Sequence, residues 1–293
     1  MRGFKGVAPP VVTPFRDGEV ASDWFKENLQ RLSQSGLSGY LVLGSNGEAV
    51  HLAADEKSLL MDAAREATPP DMWLMVGTGE ASTRATLALT REAADRGADA
   101  ALVGAPFYFK ESMRPDVLKA HFLKVAEAST IPIFIYNVPQ FTGLNLEASL
   151  VAELALHPNI AGIKDSSGNI AQLTEIRRLT PRGFRVFVGS ALVFLPALAI
   201  GADGGILAAA NVLPEAFVRV QTLAGKGAWE EARRLQWSLM EISRAVTMGY
   251  GIGGLKAAME MRGYKGGEVR GPLVMPDENG MAKIRELLDP WMD

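Results

Sequence analysis

Eight short apolar runs recur along the chain: "GVAPPVVTP", "GYLVLGS", "WLMVGTG", "AALVGAP", "IPIFIYNVP", "IAGIKDSS", "RVFVGSA" and "GGILAAAN". Each is near-continuously apolar rather than alternating, which is the pattern of strands buried on both faces. Between them lie stretches with helical periodicity. The segment from Ser22 to Gly36 puts Phe25, Leu29 and Leu32 on one face, with Ser22 expected as N-cap and Gly36 as the stop. The segments Ser82 to Gly97 and Leu146 to His157 repeat the pattern, the latter ended by Pro158. Eight strands alternating with eight helices predict an α/β protein, a (β/α)8 TIM barrel. A doubly wound open sheet is the competing arrangement. A solenoid is disfavoured, because the units share no residue signature.

The text changes after the eighth run. Pro214 opens a helix to about Ala224, and three more helical segments follow at Trp229–Met248, Leu255–Arg262 and Asn279–Leu288. A barrel does not need them. Residues 1–224 are therefore expected to form the barrel, and residues 225–293 a C-terminal helical extension packed on its outside. The "GYGIGG" stretch (Gly249, Gly251, Gly253, Gly254) fails the dinucleotide spacing and follows no strand, so it is expected to be a helix-to-helix turn.

Composition narrows the function classes. The chain has 293 residues, 48% of them apolar, and a formal net charge of -3. One barrel domain accommodates this length. No apolar run approaches the roughly 20 residues that span a bilayer, so no membrane association is expected. The opening "MRGFKGVAPPVVTPF" has neither a long apolar stretch nor an Arg/Ser-rich amphipathic one. A cytoplasmic location is expected. There is no cysteine, which excludes disulfides and thiolate zinc sites. No basic run is interleaved with aromatics, so no nucleic-acid partner is expected.

In a parallel barrel the active site lies at the C-terminal ends of the strands. Those ends carry Thr13; Ser45, Asn46 and Glu48; Tyr108; Tyr136; Lys164, Asp165 and Ser166; Gly189 and Ser190; and Ile206 with Asn211. This is a lysine among hydroxyls, with no cluster of metal ligands. His51, His121 and His157 fall in or beside helices and read as solvated or core histidines. Lys164 closes an apolar run, so its amine is expected in apolar surroundings. A lysine is a nucleophile only when neutral, and at pH 7.5 a free one is neutral about once in a thousand. Lowering its pKa by about three units costs the charged form about 4 kcal/mol, which burial can impose. Asp165 should face the other side of the strand. The competing reading of Lys164 is a strand-end lysine reaching to solvent. Tyr136 lies on the neighbouring strand, where a phenol can shuttle protons. It could equally be a core tyrosine. Tyr108 sits in the aromatic loop "PFYFK", which suits an interface plug. "GSNGE" resembles an anion-binding turn.

Taken together, "GSNGE", "YNVPQFTG", "GIKDSSG" and "GADGGI", in this order and spacing, resemble the dihydrodipicolinate synthase / N-acetylneuraminate lyase family of pyruvate-dependent class I aldolases. The likeness runs from "GVAPPVVTPF" to "RGPL". It implies that Lys164 forms the Schiff base and Tyr136 transfers protons. Ser45 would relay them, and Tyr108 would complete the relay in a neighbouring subunit. The Ser45 and Asn46 amides would hold the pyruvate carboxylate, and Gly189 and Ile206 would line its pocket. No metal or organic cofactor is implied beyond the covalent Schiff base of Lys164. The implied partners are pyruvate, an aldehyde and further copies of the chain, as a dimer or homotetramer.

One position departs from the synthases. Those that condense pyruvate with aspartate semialdehyde carry an arginine two residues after the proline of "YNVP". Here Phe141 stands there, among the residues expected to meet the second substrate. The "GSNGE" form, "LHPNIAGIKDSSGN" and "AVTMGYGIGGLK" look most like 4-hydroxy-2-oxoglutarate aldolases. Cleavage of 4-hydroxy-2-oxoglutarate to pyruvate and glyoxylate is thus the leading expectation. 4-Hydroxy-tetrahydrodipicolinate synthase is the alternative. A sugar-acid dehydratase and a non-catalytic oxo-acid sensor stand behind both.

Overall fold

The apolar runs become eight parallel strands: Gly6–Ala8, Gly39–Val42, Trp73–Gly77, Ala100–Gly104, Ile133–Asn137, Ile160–Asp165, Arg185–Val188 and Gly204–Ile206. The computed structural model in which they are seen describes residues 3–292. From the second strand on, each pairs with the next in sequence, and the eighth returns to the first with Gly6 opposite Gly204. The seam between the first two strands closes through Val11 N–H to Leu41 O (2.9 Å), Leu41 N–H to Pro9 O (3.1 Å) and Ser38 N–H to Val7 O (2.9 Å). The fold is a (β/α)8 barrel with C-terminal helices.

The barrel interior is filled. Phe4, Trp73, Phe187 and Phe134 form a closed ring of side chains, with successive ring centroids 5.8, 5.8, 6.0 and 5.1 Å apart. Tilted and edge-on contacts of this kind suit the aromatic quadrupole. Gly162 makes room for this floor, since a Cβ there would strike the Phe134 ring and Arg185 O. A second, larger core lies between the strands and the helices, and Leu255, Ile284 and Leu288 of the C-terminal helices join it.

Several boundaries differ from the sequence reading. Ser22 is the first residue of the helix Ser22–Leu32, not its cap; Ala21 holds that position without a side-chain bond. A 3-10 turn, Ser33–Ser35, then leads into Gly36 at φ 76°. Ser82 does cap Thr83–Asp95, accepting from Ala85 N–H. The Leu146–His157 segment shortens to Ala148–Leu154. The Trp229–Met248 segment is broken into Trp229–Ser238, Met240–Arg244 and a π-turn at Ala245–Gly249. The expected helix-to-helix turn is seen at the start of "GYGIGG", where the π-turn ends at Gly249, Tyr250 leaves helical angles and Gly251 adopts φ 56°; Gly253 and Gly254 already lie inside the next helix, Gly251–Met261. The glycines serve close packing: a Cβ on Gly253 would collide with Val274 O, and one on Gly254 with the Tyr250 side chain. A small hairpin pairs Phe15–Arg16 with Glu19–Val20. Asp17 (φ 54°) and Gly18 (φ 81°) turn it, an Asp-Gly signal of the type such turns require.

Candidate active site

The register of the fifth and sixth strands decides the centre. Tyr136 lies directly opposite Lys164, and Asn137 opposite Asp165. Side chains alternate along a strand, so Tyr136 and Lys164 share one face and Asn137 and Asp165 the other. The Lys164 Nζ sits 4.5 Å from the Tyr136 ring centroid. Lys164 is 3% exposed. Burial pushes its amine below the ordinary lysine range, while the Tyr136 hydroxyl opposes through charge and hydrogen bonding. The Ser45 hydroxyl stands 3.5 Å from the Tyr136 hydroxyl, at the outer limit of a hydrogen bond. Three strands thus bring Lys164, Tyr136 and Ser45 to one point in the barrel mouth.

The outward pair forms a buried staple. The Asp165 carboxylate accepts from Asn137 Nδ2 (2.7 Å), Gln172 Nε2 (3.3 Å), Ser167 N–H (3.0 Å) and Ser167 Oγ (2.5 Å). The Asn137 Oδ1 accepts from Leu146 N–H at 3.0 Å. Asn137 follows Tyr136 and Asp165 follows Lys164, so this network fixes the two strands just beyond those residues. Asp165 is spent on it and does not appear among the groups that hold the Lys164 proton.

Asn46 lies beside Ser45 on a 3-10 turn, Ser45–Gly47, which Thr13 Oγ1 secures by donating to Gly47 O at 2.7 Å. Left-handed, non-glycine residues bracket this turn: Leu43 at φ 55° and Glu48 at φ 54°. Gly189 donates its N–H to Asp165 O at 2.6 Å, and a Cβ on it would strike Ser166. Only glycine lets the seventh strand end so close to the sixth. Ile206 is fully buried in the inner layer with Phe134 and Phe187. The remaining candidates stand outside the cluster. Tyr108 is 76% exposed and packs edge-on against Phe109 at 5.0 Å. Phe141 is 64% exposed, on the short helix Pro139–Thr142. Two arginines near the strand ends, outside the candidate set, are engaged on the surface: Arg16 with Asp23 at 3.3 Å and Arg114 with Asp116 at 3.2 Å.

One group went unread in the sequence. Glu48 and Lys256 form a fully buried ion pair at 2.6 Å. Burial pulls the Lys256 amine down to about 8, against the pull of Glu48. A lone lysine in the small-residue helix "GIGGLKAAMEM" was the available signal, the same one that drew attention to Lys164. The histidines take no part in the Lys164 cluster. His121 is buried, with Nδ1 2.9 Å from Thr83 Oγ1, and burial lowers it to about 4. Among the described residues, no three His, Asp or Glu side chains are placed to hold a metal ion, and no helix is long and apolar enough to cross a membrane.

Comparison with known proteins gives this geometry a lineage. The Dihydrodipicolinate synthetase family matches residues 3–290. A 4-hydroxy-tetrahydrodipicolinate synthase of Methanothrix thermoacetophila is 37% identical over 99% of this chain and 98% of its own length. Among solved structures, YagE, an Escherichia coli K12 prophage protein of the dihydrodipicolinic acid synthase family in complex with pyruvate, superposes with a TM-score of 0.92 at 28% identity, covering 98% of each chain. A monomeric dihydrodipicolinate synthase variant superposes with a TM-score of 0.93 at 29% identity, covering 97% of this chain and 96% of that one. A match along essentially the whole chain, on a barrel of the same shape, places this protein in the dihydrodipicolinate synthetase family, as a carbon–carbon lyase of the class I aldolase type.

Proposed function

We propose that the protein joins pyruvate to an aldehyde, or separates them, through a Schiff base on Lys164. The observation that carries this reading is the buried Lys164 amine against the Tyr136 ring, with the Ser45 hydroxyl behind it. Neutral Lys164 attacks the keto carbon of pyruvate. The carbinolamine loses water as Tyr136 passes a proton to the departing hydroxyl. The protonated imine is an electron sink, and transfer of a proton from the adjacent methyl carbon to the Tyr136 phenolate gives an enamine and restores the phenol. The enamine carbon then adds to the aldehyde carbon. In the reverse direction Tyr136 takes the proton of the 4-hydroxyl as the carbon–carbon bond breaks. Gly189 and Ile206 line the pyruvate pocket in this reading, and Ser45 and Asn46 hold its carboxylate. Tyr108, exposed on its own chain, fits a role in the site of a second copy.

The test is to incubate the protein with pyruvate and borohydride, digest it and locate the reduced adduct. It is expected on Lys164 within "NIAGIKDSSGN". An adduct on another lysine, or none, refutes the assignment.

The aldehyde has two readings. The name carried by the curated relatives supports aspartate semialdehyde, hence 4-hydroxy-tetrahydrodipicolinate synthesis, and the comparisons weigh on that side. Phe141 stands against that name, because a phenyl ring cannot give the bidentate pairing of the synthases' arginine; the motif resemblance supports the other, cleavage of 4-hydroxy-2-oxoglutarate, whose glyoxylate half carries a carboxylate of its own. A direct comparison of kcat/KM for the two substrates separates them, and the larger value names the activity.

A further inference from the structure

We propose that Lys256 is a positioning residue for this reaction: through its pair with Glu48, the C-terminal extension holds the Ser45–Asn46 turn against Tyr136. The inference rests on the Schiff-base reading above and concerns the same site.

The turn is not self-supporting. Leu43 and Glu48, at either end, both adopt left-handed backbone angles. Side chains with a Cβ do so at a cost and persist there only when the surroundings impose it. What imposes it at Glu48 comes largely from remote chain. Its carboxylate, with no exposed surface, accepts from Lys256 Nζ at 2.6 Å and from Arg270 N–H at 2.9 Å, and lies 3.3 Å from His51 Nδ1. Lys256 also donates to Glu268 O. The Phe15 ring fills the space between the two cations, 4.5 Å from Lys256 Nζ and 4.3 Å from Arg270 Cζ. Arg270 is anchored in turn by two bonds of 2.7 Å to Glu56 and one of 2.9 Å to His51 O. One rigid assembly thus runs from the helix Gly251–Met261 to the turn. At its far side the Ser45 hydroxyl is already 3.5 Å from the Tyr136 hydroxyl. A small outward shift of the turn breaks that contact and moves the amides of Ser45 and Asn46, without touching Lys164.

This predicts a specific kinetic pattern. The double variant Glu48→Gln/Lys256→Met removes both charges together and leaves neither buried alone. Borohydride trapping on Lys164 at saturating pyruvate should persist in it. The KM for pyruvate should rise, and kcat fall, by at least about tenfold each, as misplacement of a positioning group does. Val220→Ala, in a buried position of the helix Pro214–Gly225, serves as a control of comparable thermal destabilisation and should leave KM unchanged. Should the double variant not fold, Lys256→Gln, one atom shorter and uncharged, loosens the hold on Glu48 and carries the same readouts. Kinetic constants within about twofold of the unmodified protein, or the same KM rise in the Val220→Ala control, overturn the inference and leave the Schiff-base reading standing. An unmodified protein that traps no pyruvate on Lys164 overturns both.

Discussion

Replacing Phe141 with arginine should turn the acceptor side of the site toward a carboxylated aldehyde. Phe141 is 64% exposed on a four-residue helix, so exchanging its ring removes little packing and the fold should tolerate it. A hydrogen bond to a charged group contributes about 1.5 to 3 kcal/mol, roughly a 10- to 150-fold change in specificity. The position is open to water, which screens the pair, so the lower end of that range is the better expectation. Phe141→Arg should therefore raise kcat/KM for condensation of aspartate semialdehyde by about tenfold or somewhat more. Cleavage of 4-hydroxy-2-oxoglutarate, whose glyoxylate half also carries a carboxylate, is a second readout of the same contact, and borohydride trapping of pyruvate on Lys164 should not change. The assay follows consumption of both substrates over a range of semialdehyde concentrations. If condensation is unaffected, the residue does not face the second substrate. If the unmodified protein already condenses aspartate semialdehyde faster than it cleaves any hydroxy-oxo acid, the missing arginine is irrelevant and the synthase reading holds.

Lys164→Met should abolish the adduct and turnover yet stabilise the fold at pH 7. Because burial lowers the Lys164 pKa, the unfolded chain binds more protons between the folded value and about 10.4, and wild-type stability gains from this group as pH rises. The stability advantage of the variant in urea unfolding should accordingly shrink as pH approaches that limit, and an advantage constant with pH would contradict the assignment. Tyr136→Phe should cut turnover by about 10² to 10⁴-fold and slow imine formation, while trapping at saturating pyruvate still reaches its endpoint on long incubation. Separately inactive Tyr108 and Lys164 variants should recover activity when mixed and reassembled; no recovery would mean that each site is built from one chain.

The barrel was legible because its strands are continuous apolar runs, a signal that survives errors at their ends. Boundaries were less so. Ser22 carries a capping side chain but starts the helix itself, since the local fit of the chain to the barrel outranks a single capping bond. The turn within "GYGIGG" was legible, but the need for Gly253 was not, because it makes room for the backbone of Val274, twenty-one residues on. The same distinction runs through the site. Lys164 stands out because it violates its own strand's pattern, whereas Tyr136, which reads equally as a core tyrosine, is singled out by the family resemblance. Glu48 gave no such contrast in a polar turn, and its partners Lys256 and Arg270 lie more than 200 residues away. Residue chemistry is visible locally, whereas the pairing that holds it in place is a property of the closed chain.

The ring of Phe4, Trp73, Phe134 and Phe187 has a bearing on kinetic order. It makes the catalytic chamber a cul-de-sac. Pyruvate, the water released when the imine forms, and the aldehyde must all use the same doorway. Traffic through one doorway is sequential, so the expelled water has to clear before the second reactant can advance to the enamine carbon. In the proposed reaction pyruvate is expected to arrive first, and an aldehyde that enters early to obstruct it. Double-reciprocal plots at several fixed aldehyde concentrations should run parallel, and excess aldehyde should inhibit in competition with pyruvate.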